Sequence, residues 1–172
     1  MTLGALRDHP PPADTLAATG RAHIDRFVEE VLNEHRSEVV PEIFAGHYVD
    51  YDPPAGFPRD RTGVIYLARM LAQPGTDLRF TIERCVEVGT GAVWVALFGE
   101  GTVVRRAVVR DGIVLLQLWP IEDPWAPERS EPHRFHLIVS TAAVFEIGSR
   151  GIERRWGPMR TEWSDWGRYA AP

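Results

Sequence analysis

At 172 residues, with 44% hydrophobic and 25% charged side chains, the chain has the size and balance of one globular domain with its own core. The net charge is −5, and all 19 basic residues are arginines, dispersed rather than clustered, which argues against nucleic acid and against a membrane-surface helix. No apolar run is long enough for a bilayer, the start MTLGALRDHPPPAD lacks a leader pattern, and the lone Cys85 has no internal partner, so the expectation is a cytoplasmic protein.

Residues 1–13 form a Pro-rich lead, expected to be loose. Asp14 or Thr15 is placed to cap a helix running to about Glu34. Leu16, Ile24, Phe27, Val28, Val31 and Leu32 recur at helical spacing, with Asp25, Glu29 and Glu30 opposite. A short helix over Glu38–Phe44 and a brief strand over His47–Tyr51 follow. Asp52-Pro53-Pro54 stops that strand, because proline restricts its predecessor and cannot donate to a ladder. Asp60 or Thr62 opens a second helix to about Gln73, ended by Pro74-Gly75.

From Asp77 the hydrophobic period changes to two. DLRFTIERCVEVG, GAVWVALFGEG, TVVRRAVVR and IVLLQLWPIE read as a four-stranded meander, with Asp111-Gly112 as a hairpin turn. Helices followed by an antiparallel meander predict an α+β fold, in which N-terminal helices and a curved, cone-shaped sheet enclose a pocket. Pro124, Pro127 and Pro132 mark a linker. RFHLIVSTAAVFEIGSRGIERRW reads as a strand pair turning at Gly148–Gly151, with a helix over Thr141–Ile147 as the alternative. The expected organisation is a lead (1–13), a main domain (14–125), and an extension (126–172) packed on that domain or on a dimer partner.

Several stretches together resemble the SnoaL-like polyketide cyclases of the nuclear-transport-factor-two-like superfamily, with limonene-epoxide hydrolases and ketosteroid isomerases as wider relatives. Phe44–Pro53, FAGHYVDYDP, is similar to the family's phe-ala-x-x-tyr-val-asp-his-asp-pro. Gly63 with Leu67 and Leu71 resembles its gly-x-x-x-leu-x-x-x-leu helix, and Asp77-Leu78 followed by Ile82 its entry to the first long strand. Val109–Asp123 resembles arg-x-x-asp-gly-lys-ile-x-glu-his-trp-x-x-x-asp. The resemblance covers about residues 20–125 and implies a cystatin-like, SnoaL-like α+β barrel that dimerises through its sheet. Departures are Tyr51 in place of the histidine before Asp-Pro, Gln117-Leu118 in place of glu-his, and a missing lysine after Gly112.

A carboxylate at the end of an apolar strand suits proton transfer in a desolvated pocket. Asp123 is such a residue, and the resemblance gives it the place of the family's acid/base. Glu122 is its rival, because a bulge at Pro120 would exchange the two. Gln117, Trp119 and Asp123 share strand parity. Tyr51 and Gln117 are the candidates to polarise a substrate carbonyl. Trp119, Tyr48, Trp94 and Arg105 are the candidates to bind substrate, Arg105 by orienting an acidic group or pairing with Asp123. Asp52, before Pro53, reads as structural. No metal is expected, since His133 and His136 stand without a further cluster. No phosphate loop, nucleophile elbow or paired CxxC points to a cofactor. The resulting expectation is a cofactor-free enzyme of specialised metabolism such as antibiotic biosynthesis: a polyketide-type cyclase, isomerase or dehydratase. It would act on a small molecule as a homodimer, with no nucleic-acid or membrane partner. Epoxide hydrolysis, by a carboxylate and an arginine that position water, is the near alternative. A non-catalytic binding protein is the more distant one.

Overall fold

The protein is described here by a computed structural model covering residues 13–110, 113–116 and 132–168. The N-terminal helix is not uniform. It runs as α1 over Ala13–Arg26 and then widens into a π-helical segment over Phe27–Asn33, where the Glu34 amide donates to the Glu29 carbonyl five residues back. The wider turn brings Phe27, Val28, Val31 and Leu32 all into the core. It ends on Asn33, whose side chain pairs with both backbone groups of Phe80 at 2.8 and 3.0 Å. One amide side chain thus does for an edge strand what a neighbouring strand would do.

A 3₁₀ turn at Ser37–Val39 and the short α2 (Val40–Ile43) lead into β1 (Phe44–Asp50), so the strand starts three residues earlier than its aromatic pattern suggests. After a proline-rich loop, Asp60 caps α3 (Arg61–Leu71) by accepting from the Thr62 amide at 2.8 Å. Five described strands follow: β2 (Thr76–Gly89), β3 (Ala92–Arg110), β4 (Ile113–Leu116), β5 (Pro132–Gly148) and β6 (Gly151–Trp156). A final strand, β7 (Met159–Arg168), occupies the Trp-rich end that sequence periodicity leaves unassigned.

The α+β plan expected from sequence holds, with refinements. The sheet is mixed and open: its order is β1-β6-β5-β3-β2, β1 pairs with β6 in parallel, and the other described pairs are antiparallel. The two expected strands GAVWVALFGEG and TVVRRAVVR are one continuous strand, β3. Gly99 and Gly101, near the expected boundary, permit close strand contact. A Cβ at Gly99 would lie 2.6 Å from the Phe80 ring, and one at Gly101 1.7 Å from the Asp77 carbonyl oxygen. Arg110 lies opposite Ile113, as a hairpin at Asp111-Gly112 requires. Residues 141–147 are strand rather than helix.

The stretch beyond the sequence resemblance supplies the middle of the sheet. One edge of β5 pairs with β3. The other is shared by β7 along His133–Thr141 and β6 along Val144–Gly148. β6 and β7 therefore form one line of chain interrupted at Gly157-Pro158. Gly157 has φ +127°, and a Cβ there would come within 2.3 Å of the Ala142 carbonyl oxygen. The helices cover one face of this sheet. The core between them includes Ile24, Val31, Phe44, Val95, Phe145 and Ile152.

Candidate active site

Strand pleating sends alternate residues of β1 to opposite faces. Tyr48 and Asp50 point inward and are buried, 3% and 9% exposed; Tyr51 is 43% exposed. In the parallel register Asp50 stands opposite Arg155 of β6. The Arg155 guanidinium, 6% exposed, donates from Nη1 to both oxygens of Asp50 at 2.9 and 3.1 Å. The same nitrogen reaches the Asp52 carbonyl at 3.1 Å, and Nη2 reaches the Thr141 hydroxyl at 3.2 Å. That hydroxyl donates onward to the Pro158 carbonyl at 3.0 Å.

Asp52 completes the cluster. Its backbone amide donates to Asp50 at 3.0 Å, and its carboxylate accepts from the Gly157 amide at 2.8 Å. The structural role that sequence assigns to Asp52 fits these bonds: it fastens the end of β1 to the β6–β7 interruption. A buried ion pair is tolerable only when its remaining lone pairs and protons are satisfied, and this one is tied to two strands and a loop. Tyr48 lies beside it. Burial, with the Asp50 anion next to the hydroxyl, pushes its proton affinity far above the ordinary tyrosine value. Tyr48 therefore keeps its proton where an ordinary tyrosine would release it.

These groups form the polar floor of a cavity. Its walls are apolar: Phe27 and Leu32 from the helical start, Val64 and Leu67 from α3, Phe80, Leu97, Val139 and Phe145 from the sheet, and Met159 from β7. Pro53, Pro54, Phe57 and Pro58 roof it. The roof loop is pinned at its base by the Asp50 amide on the Arg59 carbonyl at 2.7 Å, and Phe57 packs edge-on against Tyr66 of α3. Asp60 stands at the mouth, its hydrogen bonds with Thr62 holding its carboxyl below the usual range. The cavity volume is about 40 Å³.

The residues singled out from sequence divide into three groups. Tyr48 lines the cavity. Tyr51 and Trp94 do not. Tyr51 stacks on Trp156 with ring centroids 5.0 Å apart and planes 3° from parallel. Trp94 lies opposite Val86 and Val144 on the strand parity that excludes the core residues Val93 and Val95. Gln117, Trp119, Glu122 and Asp123 lie outside the described residues, and Arg105 is placed only by its backbone, opposite His133.

Asp50, Thr141 and Arg155 are the functional candidates that sequence reasoning passed over. A signal for Arg155 was present. The family pattern puts isoleucine four positions before tryptophan, and Ile152 and Trp156 have that spacing, whereas Ile113 and Trp119 are six apart. In this second placement Arg155 stands at the histidine and exposed Arg160 at the carboxylate after tryptophan.

No family model matches the sequence, and no curated protein matches it. Solved structures do. TsrD from Streptomyces laurentii superposes with a TM-score of 0.56 at 18% identity, over 83% of this chain and 88% of that one. A putative polyketide cyclase from Bacillus cereus gives 0.53 at 15% identity, over 94% and 92%. Another from Acidithiobacillus ferrooxidans gives 0.51 at 18%, over 83% and 87%. The chain shares the fold of these three structures. At these identities the likeness concerns the fold, and the chemistry rests on the cavity itself.

Proposed function

We propose that the protein is a cofactor-free enzyme that moves a proton on a small carbonyl compound, in the manner of a polyketide-type cyclase, isomerase or dehydratase. The observation that carries this reading is the convergence of Asp50, Tyr48 and Arg155 on the floor of an otherwise apolar cavity. Asp50 is the base that takes a proton from the carbon next to a carbonyl. As Asp50 takes the proton it becomes neutral, which leaves the Arg155 charge to balance the enolate, and Arg155 has N–H donors beyond those it spends on Asp50, Asp52 and Thr141 to donate to the enolate oxygen. The Tyr48 hydroxyl, beside Asp50, orients the Asp50 carboxylate. The proton then returns to another carbon, or the enolate carbon closes a ring. Asp123, which the sequence resemblance makes the acid/base, is a second carboxylate for the same role.

The test is exchange of the α-protons of 2-tetralone in deuterated water, followed by proton NMR. The protein accelerates exchange, and Asp50→Asn lowers the rate roughly 10²–10⁴-fold. The same measurement on Asp123→Asn decides between the two carboxylates. An exchange rate no faster than buffer, or two variants that both keep the wild-type rate, leaves a binding protein as the better account. The paired carboxylate and arginine also favour a second reading, hydrolysis of an epoxide by positioned water. Oxygen-18 from labelled water in the product distinguishes it from cyclisation.

We further propose a cytoplasmic homodimer. Among the described residues no helix is long and apolar enough to cross a membrane. Dimerisation is supported by the sheet face away from the helices, where Val86, Trp94, Val144 and Trp156 line up in register across four strands. Val86 and Val88 are 46% and 55% exposed there.

A further inference from the structure

We propose that the cavity admits uncharged carbonyl ligands and excludes carboxylates, although its floor carries a buried arginine. An arginine in a pocket ordinarily reads as an anion receptor. Here that capacity is already spent, because Asp50 takes Nη1 with both of its oxygens. Among the described residues the charged groups on the cavity wall are Arg155, Asp50 and Asp60, one cation against two anions, and the Asp52 carboxylate sits just behind them on Gly157. A ligand carboxylate entering this space would lose its water and meet no uncompensated positive charge. A ketone oxygen pays a far smaller desolvation cost. It needs one donor, and the Nε hydrogen and second Nη2 hydrogen of Arg155 make no hydrogen bond among the described residues. The inference rests on the reading of this cavity as the ligand site and adds the class of ligand.

Two probes of nearly equal shape separate the charge effect from fit: 4-fluoroacetophenone and 4-fluorobenzoate, titrated at neutral pH by fluorine NMR. The wild-type protein binds the ketone, and the acid at least roughly tenfold more weakly, as an uncompensated charge requires. Asp50→Asn frees Arg155, so the ratio of acid to ketone binding rises at least roughly tenfold. Equal binding of both probes to the wild type overturns the proposal, as does an unchanged ratio in a folded Asp50→Asn. If that variant does not fold by circular dichroism, the wild-type ratio alone decides. Leu67→Trp, which fills the cavity from α3, gives the location. If the ketone binds this variant as well as the wild type, or binds neither, the cavity is not the ligand site and both readings fall. If the plug removes the ketone while the wild type takes acid and ketone equally, only the charge selection falls.

Discussion

The two faces of the β1–β6 pair are built from adjacent residues and have opposite chemistry. Inside, Tyr48, Asp50, Thr141 and Arg155 form a closed polar cluster under an apolar roof. Outside, Tyr51 and Trp156 stack flat at the end of an apolar row that continues through Val144 and Trp94 to Val86. Asp50 and Tyr51 differ by one position, as do Arg155 and Trp156. Parity in the pleat assigns each pair, one member to the cavity and one to the outer surface. A polar residue is therefore not catalytic or structural by type here. The inner face puts charge where water is scarce, and the outer face puts aromatic area where a partner can cover it.

The largest effect expected from breaking the inner cluster is that of Arg155→Met. It leaves the Asp50 carboxylate buried without its cation, and the cost is about 3–5 kcal/mol of unfolding free energy, read by urea denaturation. Adding Asp50→Asn removes the stranded charge and restores much of the loss. A single variant that costs less than about 1 kcal/mol, the value of an exposed pair, would show that the two charges are hydrated rather than buried.

Trp94→Asp strikes the outer face. A carboxylate in the middle of the Val86–Trp94–Val144–Trp156 row weakens a dimer formed there by roughly 100-fold, about 3 kcal/mol, as an unpaired charge in an interface core does. Sedimentation shows the mass fall toward that of one chain at micromolar concentration, while 4-fluoroacetophenone binding is retained. A dimeric mass in this variant, or a monomeric mass in the wild type, removes the sheet face as the contact.

How far this division was legible beforehand follows from what each signal contains. Alternation over residues 48–52 places Tyr48 and Asp50 on one side and Tyr51 on the other, and their burial follows it. Alternation does not say which side is the inside, and without that Tyr51 was as good a candidate as Tyr48. The order of helices and strands and the Asp-Gly turn carried the α+β plan, because they depend on local chemistry. The bond between Asp50 and Arg155 spans 105 positions. It exists because β6 pairs in parallel with β1, and no local pattern encodes a pairing of that range. The expected division of β3 into two strands fails for a related reason: the role of Gly99 and Gly101 lies in Phe80 and Asp77 on the next strand.

A smaller effect separates the faces by pH. Tyr48 holds its proton in the folded protein well beyond the value at which an unfolded tyrosine releases it. Below the unfolded value both states keep the proton, and the group's stabilising contribution is fully present. Above about pH 10 the unfolded chain loses a proton that the folded chain retains, so stability falls with a slope of up to about 1.4 kcal/mol per pH unit from this group. Tyr48→Phe abolishes that part of the slope, while Tyr51→Phe keeps it. Urea midpoints between pH 9 and 11 provide the measurement. Identical slopes in the wild type and Tyr48→Phe would mean that the Tyr48 hydroxyl reaches solvent.

The smallest expected effect bears most directly on which tyrosine is functional. Tyr51 is half-exposed, and its contact with Trp156 is a stack of two rings, worth about 0.5–1.5 kcal/mol when fully formed and less at a wet site. Tyr51→Ala therefore costs no more than about 1 kcal/mol in the isolated chain. Tyr51→Phe keeps the stack and removes the hydroxyl alone, and it leaves both stability and α-proton exchange unchanged. Tyr48→Phe removes the donor that orients Asp50 and slows exchange by roughly tenfold, the scale of one hydrogen bond of about 1.4 kcal/mol to a charged group. Each phenylalanine variant removes a single oxygen, one inside on β1 and one outside just past its end, so their ratio of rates isolates the face. If Tyr51→Phe slows exchange and Tyr48→Phe does not, the chemistry belongs to the outer surface, and the carbonyl-polarising role that sequence gave to Tyr51 is the right one.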